Sequence, residues 1–386
     1  MKKTRVLSVV AACAIMATMM AGCGNTGSKA DKDKFAIGGI GPLTGDAATY
    51  GKAVQNGAQL AVDEINAAGG INGKLIDFKF QDDENDPEKA VNAYNTLKDW
   101  GMQLSMGTVT SKPCVAVADK TKGDNMFMLT PSGSAVECVQ YDNAFRICFS
   151  DPNQGTKSAQ YIAENKLAEK VAVIYDSSDV YSTGIFNKFK EEAGKQNLAV
   201  VAETAFTSDT KTDFSVQIQQ AKDAGADLVF LPIYYTQAAL ILQQAKSAGY
   251  APKFFGCDGL DGLMTVKDFD TSLAEGVMLL TPFAPDAKDE ATQKFVAAYK
   301  AKYNDEIPNQ FAADAYDVIY TIKAAAEKAG ITPDMSVSDM CNALKTAMPE
   351  ITVKGVTGES IVWDASGEPN KGPRAMKIVN GSYTAM

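Results

Sequence analysis

Two short stretches carry the side chains best suited to chemistry. Met106-Gly107-Thr108-Val109-Thr110-Ser111 leads into Pro113. Leu129-Thr130-Pro131-Ser132-Gly133-Ser134 follows the apolar run Met126 to Leu129 and precedes Ala135 to Val139. Each reads as a strand, a turn bearing hydroxyls, then a helix. Free backbone N–H groups at such a joint point at whatever sits above the strand end, and they suit an anion. The two joints are therefore predicted to hold the carboxylate of a small amphipathic ligand. One acid, Asp258, and four aromatics at loop or helix-start positions, Tyr50, Tyr181, Tyr234 and Phe311, join them. Together they make the kind of constellation from which α/β ligand sites are built.

Other chemistries fit less well. The chain contains no histidine, which removes His-based triads, His metal sites and imidazole acid/base work. Ser132 and Ser134 have no GxSxG elbow, and neither opens an SxxK pair. The glycines at 38, 39, 41 and 45 lack the third glycine of a dinucleotide fingerprint, and no GxxxxGK[ST] occurs, so no nucleotide cofactor is expected. Asp82-Asp83-Glu84 reads as a solvated acidic turn rather than a calcium or acid/base cluster. No metal site is expected, because no cysteine lies in a CxxC. Cys114 and Cys138 follow the two joints. A disulfide between them and a pair of free buried thiols both fit, with free thiols the favoured reading.

The elements that must position these residues alternate. With 386 residues, two domains are expected. Apolar content of 46% and charge of 22% suit a soluble globular chain, and a net charge of −10 gives no electrostatic reason to bind nucleic acid. Lys2, Lys3 and Arg5, then an apolar run from Leu7 to Met20, form a signal peptide over 1–22. Small residues directly before Cys23 resemble a bacterial lipobox, so Cys23 is expected to carry lipid. Residues 23–34 are polar and read as a flexible tether. Strands are predicted at Phe35 to Ile40, Leu75 to Phe80, Gln103 to Met106 and Phe145 to Phe149. Helices are predicted over Tyr50 to Ala68, from Pro87 to about Trp100 and over Pro113 to Lys120. Asp86 is the expected N-cap of the second helix.

The pattern restarts near Asp151. A helix over Gln154 to Asn165 and the strand Val171 to Tyr175 open a second series of strands and helices. Three helices follow Phe283, then short strands at Glu359 to Asp364 and Ala375 to Val379. Strands this apolar, separated by helices, predict two parallel sheets covered on both faces.

The motifs Gly41-Pro42-Leu43-Thr44-Gly45 with Tyr50-Gly51, the run Gly57 to Gly73 (GAQLAVDEINAAGGING), Asp82-Asp83 with Asp86-Pro87, and Thr130-Pro131 with Ser134 carry a resemblance. They are similar to the leucine/isoleucine/valine-binding proteins, the branched-chain amino-acid receptors of ABC importers. The similarity spans essentially all of the chain after the tether. It implies an α/β type I periplasmic-binding fold of two doubly wound lobes with three hinge crossovers: 35–150 plus 282–372, and 151–281 plus 373–386. It implies an amino acid as ligand, permease and ATPase subunits as partners and a monomer; the lipobox-like Cys23 adds an expected lipid-anchored position on the outer face of the cytoplasmic membrane, and the missing nucleophile–base pair adds an expectation of no catalysis.

Carried over residue by residue, Ser111 and Ser134 fall on the α-carboxylate binders, and the Ser132 carbonyl and Asp258 on the α-ammonium. Asp258 is shorter than the family's Glu. Gly133 lies within the second joint. Tyr234 sits beside the ammonium and closes the cleft. Tyr50, Val109, Thr110, Tyr181 and Phe311 fall on the side-chain pocket. Asn85 and Thr110 replace a cysteine pair of the family, so that bridge is absent. The alternatives are a module that senses another small amino acid or amide, and a surface hydrolase for which no nucleophile–base pair is visible.

Overall fold

The computed structural model describes residues 29–386; the signal segment and Cys23 lie outside them. The chain opens with β1 (Phe35–Gly41), α1 (Ala48–Ala67), β2 (Ile76–Asp82), α2 (Pro87–Trp100), β3 (Leu104–Ser105), α3 (Ser111–Asp124), β4 (Met128–Thr130) and β5 (Ala144–Arg146). These strands pair in parallel in the order β2-β1-β3-β4-β5. The alternation restarts with α4 (Asp151–Glu164), β6 (Lys170–Asp176), α5 (Val180–Lys195), β7 (Ala199–Phe206) and α6 (Ser215–Asp223). It continues through β8 (Leu228–Leu231), α7 (Tyr235–Ser247), β9 (Lys253–Gly256) and β10 (Met278–Thr281).

Three helices then follow: α8 (Glu290–Lys302), α9 (Gln310–Ala329) and α10 (Val337–Ala347). α9 packs on α1 and β4 of the first sheet. Strands β11 (Arg374–Val379) and β12 (Ser382–Ala385) complete the second sheet, ordered β12-β11-β10-β9-β8-β6-β7. It is parallel except where β11 pairs antiparallel with β10 and β12. The chain thus passes between the sheets three times: after β5, after β10 and after α10.

Local chemistry explains the elements. β1 and β8 are buried at every residue, as strands covered on both faces must be. α1 buries Val54, Ala58, Ala61, Val62 and Ile65, the stripe its spacing predicts. The Asp86 carboxylate caps α2, accepting from the N–H groups of Glu88 and Lys89 at 2.9 Å each. Two glycines set the closest helix crossings. A Cβ on Gly57 of α1 would stand 2.0 Å from the Ala312 carbonyl oxygen in α9. One on Gly155 of α4 would stand 2.3 Å from the Ile185 carbonyl oxygen in α5.

Three expectations need correction. Ala135 to Val139 forms only a 3-10 turn, Val136–Val139. The run is too short to repay helix nucleation before the turn at Tyr141 to Asn143. Glu359 to Asp364 is not a strand; Val353–Ile361 and Trp363–Pro369 make isolated bridges, and β11 pairs with β12. Its alternation buries Ile361 and Trp363 instead, and the Trp363 indole N–H donates to the Arg146 carbonyl at 2.7 Å. The acidic turn is only partly solvated. Asp83 is buried, and burial pushes its carboxyl up to about 7. Its neighbour Asp82 stays at the surface and accepts from the Leu43 N–H and the Thr44 hydroxyl at 2.8 and 2.7 Å.

Gly57→Ala is expected to push α9 off α1 and to lower unfolding free energy by about 1–3 kcal/mol. Urea denaturation should show a lower midpoint with an unchanged slope.

Candidate functional site

The side chains singled out in the sequence arrive from many elements. Tyr50 lies in the first turn of α1. Val109 and Thr110 fill the loop after β3, and Ser111 is the first residue of α3. Ser132 and Ser134 follow β4. From the second sheet come Tyr181 at the start of α5, Tyr234 just before α7 and Asp258 after β9; Phe311 opens α9. Nearly all sit at carboxyl ends of parallel strands or amino ends of helices, where α/β folds leave a crevice.

Ten of the eleven line one cavity between the sheets, together with Gly259. Gly133 does not. Its α-carbon faces away, where a Cβ would meet the Cys114 sulfur at 2.6 Å. Its N–H donates to the Thr130 hydroxyl at 2.9 Å, so it shapes the loop from behind. The walls of this cavity are closed on each other and leave almost no free space between them.

Contacts across the cleft account for that closure. The Tyr50 hydroxyl donates to the Gly259 carbonyl at 2.5 Å and accepts from the Tyr235 N–H at 3.3 Å. The Gln310 side-chain amide donates to the Asp258 carbonyl at 3.0 Å, and the Gln310 N–H to the Asp261 carboxylate at 3.0 Å. At the rim the Thr236 hydroxyl donates to the Asp46 carbonyl at 2.7 Å, and Lys211 pairs with the Asp46 carboxylate at 2.6 Å. Aromatic rings fill the middle. Tyr50 and Phe311 lie 4.3 Å apart, Tyr181 and Tyr234 stack at 4.9 Å, and Tyr50 meets Tyr234 edge-on at 5.7 Å. Such pairs add about 0.5–1.5 kcal/mol each beyond the area they bury.

The polar wall has its own order. Ser111 and Ser134 hydroxyls face each other at 3.4 Å. The Ser111 hydroxyl oxygen also accepts from the Ser134 and Ala135 N–H groups, at 3.2 Å each. The second joint therefore offers its N–H groups to a hydroxyl that can rotate. The Ser132 hydroxyl donates to the Val109 carbonyl at 2.6 Å, tying the two joints together. Behind them is Arg146, a residue the sequence reading passed over. It is fully buried, donates to the Gly133 and Ala135 carbonyls at 3.0 and 2.9 Å, and pairs with Glu368 at 3.1 Å. An arginine inside the apolar run Phe145 to Phe149 was the available signal. Cys114 and Cys138, beside both joints, are free buried thiols.

Asp258 stands opposite, 4% exposed. The Tyr181 hydroxyl donates to it at 2.7 Å, and its N–H donates to the Gln154 side-chain oxygen at 3.2 Å. Burial pushes its carboxyl up to about 7, against the downward pull of the hydrogen bonds from Tyr181 and Gly259. In the unfolded chain an Asp titrates near ~3.9. The folded pKa is the raised one, so the folded state holds this proton more tightly. Stability is greater at acid pH and is lost as pH rises from about 4 through about 7. Asp258→Asn should therefore unfold at higher urea than the wild type at pH 8, with the two midpoints converging toward pH 4.

Comparison with known proteins agrees with this architecture. The sequence model described as periplasmic binding protein matches residues 34–382. A Leu/Ile/Val-binding protein homolog from Brucella melitensis is 33% identical over 336 residues, covering 86% of this chain and 89% of the relative. The leucine-, isoleucine-, valine-, threonine-, and alanine-binding protein of Pseudomonas aeruginosa is 31% identical, covering 85% and 86%. The solved substrate-binding protein LivJ of Streptococcus pneumoniae, in complex with isoleucine, superposes with a TM-score of 0.82 at 29% identity, covering 91% of this chain and 98% of that one. On this match of sequence and fold, the chain belongs to the leucine/isoleucine/valine-binding family of periplasmic binding proteins.

Proposed function

We propose that this chain is the exported solute receptor of an ABC importer, and that it captures an aliphatic, branched-chain amino acid and hands it to the permease. The observation that carries this reading is the division of one closed cavity into three chemistries. Ser111 and Ser134 present hydroxyls, Asp258 presents an acid, and Tyr50, Tyr181, Tyr234 and Phe311 form an aromatic wall. That division suits a zwitterion with an apolar side chain. Ser111 and Ser134 take the α-carboxylate. The Ser132 carbonyl and Asp258 take the α-ammonium, with Tyr234 closing beside it. Tyr50, Val109, Thr110, Tyr181 and Phe311 surround the side chain. The relatives named for leucine, isoleucine and valine point the same way.

In this reading residues 35–150 plus 282–372 form one lobe and residues 151–281 plus 373–386 the other. Closure traps the ligand without chemistry. The receptor acts as a monomer, held outside the cytoplasmic membrane by lipid on Cys23. No helix among the described residues is long and apolar enough to cross a membrane, in keeping with such an anchor.

Titration calorimetry should detect binding of L-leucine, L-isoleucine or L-valine and much weaker binding of the amine-free 4-methylpentanoate. Equal binding of the amine-free acid would overturn the amino-acid reading. Asp258→Ala should lose about 2 kcal/mol of affinity, about 30-fold, because a buried ammonium loses its partner. Separately, Cys23→Ser should move the expressed protein from the membrane fraction to the soluble one; continued membrane retention would discard the lipid anchor.

A further inference from the structure

Asp258 is not the sole acid behind this cavity. Asp151, the first residue of α4, is 1% exposed; its carboxylate oxygens make no well-formed hydrogen bond among the described residues, and the nearby Ser134 hydroxyl is the one side-chain donor that offsets its burial. A buried acid without a well-formed hydrogen bond is costly and uncommon. Its backbone N–H donates to the Ser134 carbonyl at 2.9 Å, which sets it directly behind the hydroxyl loop. On its other side α5 presses in: a methyl group on Gly184 would stand 3.2 Å from the Asp151 Oδ2.

The charges around Asp151 do not neutralise it. Arg146 is the nearby buried cation; its terminal nitrogens are engaged with two carbonyls and Glu368, its Nε–H has no partner among the described residues, and its charge offsets the burial of Asp151 only in part. Asp179, at the start of α5, and Asp258, after β9, both add negative potential. Lys188 and Glu137 line the surface groove beyond it, one of each sign. On the Asp258 side, Asp314 of α9 is paired with Lys371 at 2.8 Å, and Tyr181 donates its proton rather than charge. Asp151 and Asp258 are therefore two buried acids within electrostatic reach of each other, one behind Ser134 and one in the cavity wall. In such a pair a second ionisation is opposed by the first.

We propose that Asp151 is a second acid of the ammonium subsite, acting across Ser134, and that it and Asp258 hold one proton that amino-acid capture expels. This rests on the reading that the cavity takes an α-ammonium. The charges balance as follows: one proton leaves to solvent as the zwitterion enters, the ammonium replaces the proton's positive charge beside the acids, and the α-carboxylate adds one negative charge that the Ser111 and Ser134 wall takes up. Burial holds both carboxyls above the ordinary range, which supports the same arrangement. Asp151 is a positioning residue here, since it reaches the ligand through Ser134 and through the charge state of Asp258. Binding then strengthens with rising pH. For one group that ionises at about 7 in the free protein, affinity rises about 25-fold between pH 5.5 and 7.5.

Two measurements test this. First, carboxyl-labelled aspartate is followed by NMR from pH 4 to 8.5 without ligand. The expected result is a carboxyl titrating near neutrality whose midpoint moves toward acid in Asp151→Asn. An unmoved midpoint, or no carboxyl titrating above pH 6, overturns the shared proton. Second, L-leucine is titrated calorimetrically at pH 6.5 in phosphate and in Tris, with affinities measured at pH 5.5 and 7.5. The expected result is release of about one proton per leucine in the wild type, and a pH dependence below about threefold in Asp151→Asn. Leucine binding without proton release, at an affinity flat in pH, overturns the expulsion. Shifted midpoints with no leucine binding would uphold the acid pair and sink the amino-acid reading instead.

Discussion

A carboxylate held in a dry seam is the constraint on which the structure turns. Asp258 is almost wholly buried and keeps one strong hydrogen bond, from Tyr181. Removing an ionised carboxylate from water costs several kcal/mol unless a partner charge arrives. The folded chain supplies none at Asp258 itself, since the nearest buried cations are engaged elsewhere. Such a residue is tolerated where its unmet demand is useful. A ligand carrying a positive charge would meet it, and the aromatic rings around it would keep water from screening the pair.

The rest of the fold holds that seam in place. Arg146 grips the second hydroxyl loop by two carbonyls, so the loop is positioned from the interior of the first sheet. Lys371 pairs with Asp314 and donates to the Thr357 hydroxyl at 2.5 Å, while Asp317 accepts from the Thr357 N–H at 2.9 Å. This network lies where the third crossing leaves the helices of the first sheet for β11. Breaking one partner of a buried pair costs about 3–5 kcal/mol, so these crossings are stiffly anchored at their ends. The close approaches at Gly57 and Gly155 add rigidity within each lobe, since backbone is packed directly on backbone.

Much of this was legible in the residues, for a physical reason. Parallel strands buried on both faces must be continuously apolar, and the helices between them must show one apolar stripe. Both patterns survive in Val171 to Tyr175 and in α1. Cavity-lining residues could be picked out because hydroxyls and lone aromatics stand there at strand and helix ends, outside the apolar runs that build the sheets and helices. What was missed depends on tertiary contact. Gly133 looks like a site residue by position, yet its direction is set by Cys114. Asp151 marks only the restart of the pattern in the sequence, and it takes the approach of α5 to show that its carboxylate is buried. Ile361 and Trp363 alternate like a strand, but no neighbouring strand runs beside them.

The latch across the cleft grips atoms that carry no side-chain identity. Tyr50 holds the carbonyl of Gly259, and the Gln310 side chain holds the carbonyl of Asp258. The side chain of residue 258 faces the cavity while its backbone fastens the lobes. Substitution at that position can therefore alter the cavity wall while leaving the fastening intact. Cavity lining and closure occupy separate atoms of one short segment, so the surface presented to the cavity can change without first rebuilding the machinery that shuts the door.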